Sequence, residues 1–141
     1  MSNTHDKQDS YRAWYLRLRQ CASETLQVYR LECPTISISP DLSKTLGKWM
    51  HSKNEICLAE EIFIHFAWSQ VILIFKHELA HMIADLIYQG QNESAHGESF
   101  QRVCTELKIS PEASMRSPQK QSSLNDKINK LSKILNPGLK F

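Results

Sequence analysis

The stretch 77-HELAHMIADLIYQGQNESAHGESF-100 decides how this chain is read. Its first five residues set His77 and His81 four apart, on one face of a helix, where two imidazoles can hold a single Zn2+. Glu78 is turned by about 100° from His77 on a helix of about 3.6 residues per turn, so its carboxylate flanks such an ion and is placed as a general base for water. A catalytic zinc takes a third protein ligand and leaves one position open. The downstream candidates are His96, Glu93 and Glu98. Gly90 and the polar run Gln91 to Ser94 let the chain reverse, which favours His96. Glu98, a carboxylate from a second helix, is the main rival, and the two would not face the same way on a helix. The longer pattern H-E-x-x-H-x-x-G-x-x-H is excluded, because the chain has Ala84 and Ile87 where Gly and His are required.

Around the motif, Val71 to Phe75, Leu79, Met82, Ile83, Leu86 and Ile87 make the predicted helix apolar nearly all round, as expected of one at the centre of a domain. Ser69 is its expected N-cap and Gly90 its stop. A buried helix carrying His, Glu and His needs a partner for those polar groups, and a metal supplies one. Asp85 falls four residues past His81 and can accept from an imidazole or face solvent. Tyr88 is expected to pack. A second helix should run from about residues 95–97 to Lys108 with Phe100, Val103 and Leu107 inward, Phe100 anchoring it beside His96.

Upstream, Tyr11, Trp14, Tyr15, Leu18, Ala22, Leu26 and Tyr29 recur at three- and four-residue steps, which predicts an amphipathic helix from Ser10 to about Leu31, closed by Cys33-Pro34. Arg12, Arg19 and Arg30 lie mainly on its other side, a solvated face by default. Three short runs, residues 35–39, 46–51 and 55–59, suit strands, and the last two are separated by Ser52-Lys53-Asn54, the composition of a hairpin turn. Trp49 is expected in the core or, as the alternative, on the wall of the cleft.

At 141 residues and 41% hydrophobic, the chain can bury a core without disulfide staples. Its four cysteines contain no C-x-x-C, which excludes a zinc ribbon and suggests reduced thiols in a cytoplasmic protein. The polar first ten residues lack the apolar core of a signal peptide, and the longest apolar run, residues 62–75, is interrupted and too short to span a bilayer. Residues 111–141 hold six Lys or Arg against two acidic residues, net +4, leaving −2 for residues 1–110. Residues 111–122 read as a linker, and Leu124, Ile128, Leu131 and Leu135 predict a basic amphipathic helix over 123–136 that must dock on something to be stable.

The combination His77-Glu78-x-x-His81, a gap of fourteen residues, then His96-Gly97-x-x-Phe100, resembles the SprT-like, Spartan-type, zinc metalloproteases. The resemblance extends through Leu46-Gly47-Lys48-Trp49 and Glu55-Ile56-Cys57-Leu58, over roughly residues 35–108. It implies an α+β, zincin-like fold in residues 1–110, a small three-stranded antiparallel sheet packed on a central HExxH helix with flanking helices, the hairpin bordering the cleft. It also implies one catalytic Zn2+ on His77, His81 and His96, with Glu78 as base. The implied substrate is a protein or peptide, and by analogy one bound or crosslinked to DNA, with DNA as a further partner and no membrane. The chain departs from fuller members in having no cysteine ribbon and no separate DNA-binding module. The alternative is a metal-stabilised nucleic-acid- or protein-binding regulatory module without turnover, which would hold its zinc with four protein ligands.

Overall fold

The computed structural model describes residues 4–42, 44–89 and 92–112. The predicted C-terminal helix over 123–136, nearly all of the 111–122 linker and the Gly90 stop lie outside them. Helix α1 (Thr4–Leu26) begins six residues before the predicted start, and a 3-10 turn (Gln27–Tyr29) ends it with Arg30 in the left-handed region, φ 56°. Leu18, Ala22 and Leu26, spaced by four, are its fully buried stripe and pack toward α3.

Strands β1 (Thr35–Ser39), β2 (Gly47–Met50) and β3 (Glu55–Ala59) form one sheet in the order β1-β3-β2. The predicted β2–β3 hairpin is present, Gly47 pairing with Leu58 and Trp49 with Ile56, closed by a 3-10 turn (His51–Lys53) and left-handed Asn54. The sheet is mixed and not wholly antiparallel: β1 runs parallel to β3, Thr35 opposite Glu55 and Ser39 opposite Ala59. The reason lies in β3. Ile56, Cys57, Leu58 and Ala59 are all buried, so this strand is apolar on both faces and takes the centre. Strand β1 alternates in burial and β2 carries exposed Lys48, patterns that tolerate an edge.

A short helix α2 (Glu60–His65), unforeseen inside the apolar run, leads to the central helix α3 (Trp68–Ile87). Its N-cap is Ala67 and not Ser69; the Ala67 N–H donates to Gln70 Oε1, half of a capping box. At the other end Gln89 adopts the left-handed conformation, φ 54°. Ten residues of α3 are buried, among them Phe75, Leu79, Met82 and Ile83. Helix α4 (Glu98–Leu107) packs on α3 through buried Phe100, Val103 and Cys104. The fully buried Leu, Ile, Phe and Met side chains each contribute about 1.5–3 kcal/mol on leaving water. Tyr29 and Tyr88 both donate to Glu106 of α4, at 2.8 and 2.9 Å, and Arg102 lies over the Tyr88 ring, so Tyr88 is a packing residue as expected. The four cysteines are free thiols. Among the described residues no helix is long and apolar enough to cross a membrane.

Candidate metal centre

Helix α3 delivers two of the site's imidazoles and the turn before α4 delivers the third. His77, His81 and His96 each offer a ring nitrogen, and these atoms lie within 4.8 Å of one another. Ring centroids are 4.9 Å apart for His77 and His81, 5.4 Å for His77 and His96, and 5.1 Å for His81 and His96. Phe100 stacks on His81 at 4.2 Å and stands 4.9 Å from both other rings, which is how a buried α4 anchor fixes an imidazole that precedes the helix. His77 is buried, His81 half-buried and His96 exposed, so the cluster grades from the core into an open cleft of about 670 Å³.

Three observations fit this cluster to a divalent metal. Imidazole nitrogens are the donors zinc prefers, and three of them leave a fourth position for water or substrate. Burial, reinforced by neighbouring imidazoles, pushes His77 down to about 4 and His81 to about 3, so both are neutral near pH 7, the form that coordinates. His77 Nδ1 is the buried side-chain polar atom without a hydrogen-bond partner among the described residues, a costly condition unless the ring has another role.

Glu78 is only 3% exposed. Burial pushes its carboxyl up to about 8, against which the Trp49 backbone N–H, donating to it, pulls down. A Cβ at Gly47 would stand 3.3 Å from Glu78 Cγ and 2.9 Å from Leu58 Cδ2, so β2 approaches the helix this closely only because residue 47 lacks one.

The rival ligands are occupied or remote. Glu93 accepts from the Ser99 N–H at 3.2 Å and from the Ser99 hydroxyl, capping α4. A Cβ at Gly97 would come within 3.0 Å of Glu93 Cβ and Ser94 O, so the His96-Gly97 pair belongs to this tight capping turn. Glu98 is exposed and stands outside both the cluster and the cleft wall. Trp49 is half-buried, packed against the core on one side and lining the cleft on the other; its indole N–H donates to Asp85 Oδ2 at 2.8 Å. His51 lies on the same wall, its Nδ1 3.8 Å from Asp85. Sequence reasoning did not single out His51. Asp85 carried a signal, its spacing of seven from Glu78, which returns to the same helix face.

The SprT-like family model matches residues 10–120, and the chain belongs to that family. In fold it is similar to the crystal structure of the metallopeptidase zymogen of Pyrococcus abyssi, abylysin, with TM-score 0.52 and 22% identity over 69% of this chain and 82% of that one. A second similar structure, the metallopeptidase zymogen of Methanocaldococcus jannaschii, jannalysin, has TM-score 0.49 and 17% identity over 80% and 94% of the two chains. No curated protein matches the chain.

Proposed function

We propose that the chain is a zinc-dependent metalloendopeptidase of SprT type acting on protein or peptide substrates. The observation that carries the reading is the convergence of three imidazole nitrogens within 4.8 Å, in a cleft, beside a buried glutamate. His77, His81 and His96 hold the metal. Bound there, zinc supplies Lewis acidity toward a peptide carbonyl and toward water. Glu78 takes the proton from the attacking water on its carboxylate and returns it to the leaving amine.

Strand β2 supplies the substrate edge. It borders the cleft and has β3 on one side only. An extended peptide is held there by the outward backbone groups of β2 that Glu78 does not take, with its scissile bond over the histidines.

Replacing Glu78 with Gln is expected to preserve metal content and abolish cleavage of an unstructured protein substrate. Cleavage at the wild-type rate would refute the role of Glu78. One tightly bound zinc with no cleavage by the wild type, on any unfolded protein tested, would put the metal-stabilised binding module in its place.

The substrate class proposed by family analogy is protein bound or crosslinked to DNA. The net +4 of residues 111–141 supports attraction to a polyanion, and binding of that kind weakens with salt. Single- and double-stranded DNA added at low salt are therefore expected to stimulate cleavage, and indifference to both removes DNA from the scheme. Residues 1–110 are proposed as the peptidase unit, with 111–122 as linker and 123–136 as a docking helix.

A further inference from the structure

The cleft wall carries polar groups that this chemistry leaves without a task, namely the Trp49 indole, His51 and Asp85. The register of the hairpin explains how they connect to the site. Ala59 N–H donates to Leu46 O, so Leu46 and Ala59 form a bonded pair, and Lys48–Cys57 is the next one. Gly47 and Trp49 fall at the alternate positions, where the N–H and C=O point away from β3. An outward amide on an edge strand ordinarily meets solvent. That of Trp49 is turned toward the Glu78 carboxylate, which it helps to keep ionised, and on the same face of β2 a Cβ at Gly47 would stand 3.3 Å from Glu78 Cγ.

The side chains obey the same alternation. Gly47 and Trp49 share the face of β2 turned toward α3, where Gly47 lies against Glu78 and the Trp49 indole reaches Asp85. Glu78 and Asp85 are two helical turns apart on one face of α3. Strand and helix are thus joined at two points, and Trp49 takes part in both, by its backbone at one and its ring at the other.

We propose that Trp49 is a positioning residue for Glu78: the indole, pinned to Asp85, fixes the peptide plane whose N–H holds the Glu78 carboxylate in the cleft. The proposal rests on the peptidase reading only in giving Glu78 the role of base. A glutamate side chain has three torsions and does not hold one orientation unaided. A misplacement of roughly 1 Å at a reacting group can cost about 10²-fold in rate.

The first readout needs neither metal nor substrate. In metal-free protein the Trp49 backbone amide is expected to be protected from hydrogen exchange in the wild type and in Asp85→Asn, which keeps a side-chain acceptor. It should lose protection in Glu78→Ala, and exchange at least about tenfold faster in Asp85→Ala and Trp49→Phe, whose ring retains the bulk without the N–H donor. In zinc-loaded protein the last two variants are expected to lose about 10- to 100-fold in kcat with KM and zinc content held, and Asp85→Asn to recover most of it. Wild-type protection in both Asp85→Ala and Trp49→Phe overturns the proposal. So does a His51→Ala variant that reproduces the whole loss of kcat with the amide still protected, because Asp85 would then act through His51. If the loaded wild type cleaves nothing, the peptidase reading falls, while exchange in the metal-free protein still decides whether Trp49 holds Glu78.

Discussion

Replacing Glu78 with Gln should stabilise the metal-free protein, by an amount that grows with pH. Its carboxyl is buried and raised from an ordinary 4.5 to about 8, so the folded chain keeps a proton that the unfolded chain releases. A raised acid contributes its full stability below 4.5 and loses it as pH rises toward 8. At 1.36 kcal/mol per unit, the penalty in the wild type is about 1 kcal/mol at pH 5 and about 3 kcal/mol at pH 7. Gln has nearly the same shape and no charge to desolvate, so it escapes this penalty while its oxygen still accepts from the Trp49 N–H. Any cost of burying the amide NH2 is the same at both pH values, and the linkage of His77 and His81 is common to both proteins. The assay is urea unfolding of chelator-stripped wild type and Glu78→Gln at pH 5 and pH 7. The difference between the two proteins should widen by about 2 kcal/mol between those values. An unchanged difference would mean that Glu78 ionises as freely in the fold as in the unfolded chain, and its burial would lose its electrostatic meaning.

Removing the third imidazole by His96→Ala should weaken zinc binding by more than the roughly 10- to 100-fold that loss of an outer-shell partner costs, while Glu98→Ala leaves it unchanged; competition with a chromophoric chelator reads both. Phe100 is 2% exposed and stacked on His81, so Phe100→Ala should cost about 3–5 kcal/mol in denaturant unfolding and lower metal affinity as well. Gly47→Ala forces a Cβ to 2.9 Å from Leu58 Cδ2 and should cost about 1–3 kcal/mol, with cleavage falling because Glu78 is crowded from the same side. Glu93→Ala removes the acceptor that caps α4 and should cost about 0.5–2 kcal/mol, read by thermal unfolding.

The site was more legible in the sequence than the sheet. His77 and His81 were paired by helical spacing alone, whereas the chain reversal only favoured His96 over Glu98, and the choice between them came from the resemblance to the family. Strand existence was equally local, since residues 35–39 and 55–59 carry their own patterns. Strand order was not, because parallel pairing of β1 with β3 depends on which strand is apolar on both faces, a comparison across the whole sheet. Ala67 displaced Ser69 as N-cap because Gln70 supplies the reciprocal bond, and α2 was hidden because its apolar residues merge with those of α3 in one run. Trp49 was left open between core and cleft for a related reason. An aromatic on a short strand reads as core, and only tertiary packing shows that its ring ends on Asp85 at the cleft wall.

Helix α4 is fastened to α3 by Phe100, Val103 and Cys104 and by the two tyrosine hydroxyls on Glu106, none of which is a metal ligand. The turn bearing His96 is closed by Glu93 on Ser99 in the same way. Among the described residues, the contacts that bring the three imidazoles together therefore do not run through a metal. Small zinc domains that fold only around their ion surrender their structure to a chelator. If the three imidazoles hold zinc as proposed, α3 and α4 should instead stay packed when a chelator removes the ion, and the free-zinc level around the protein would set how many molecules carry one.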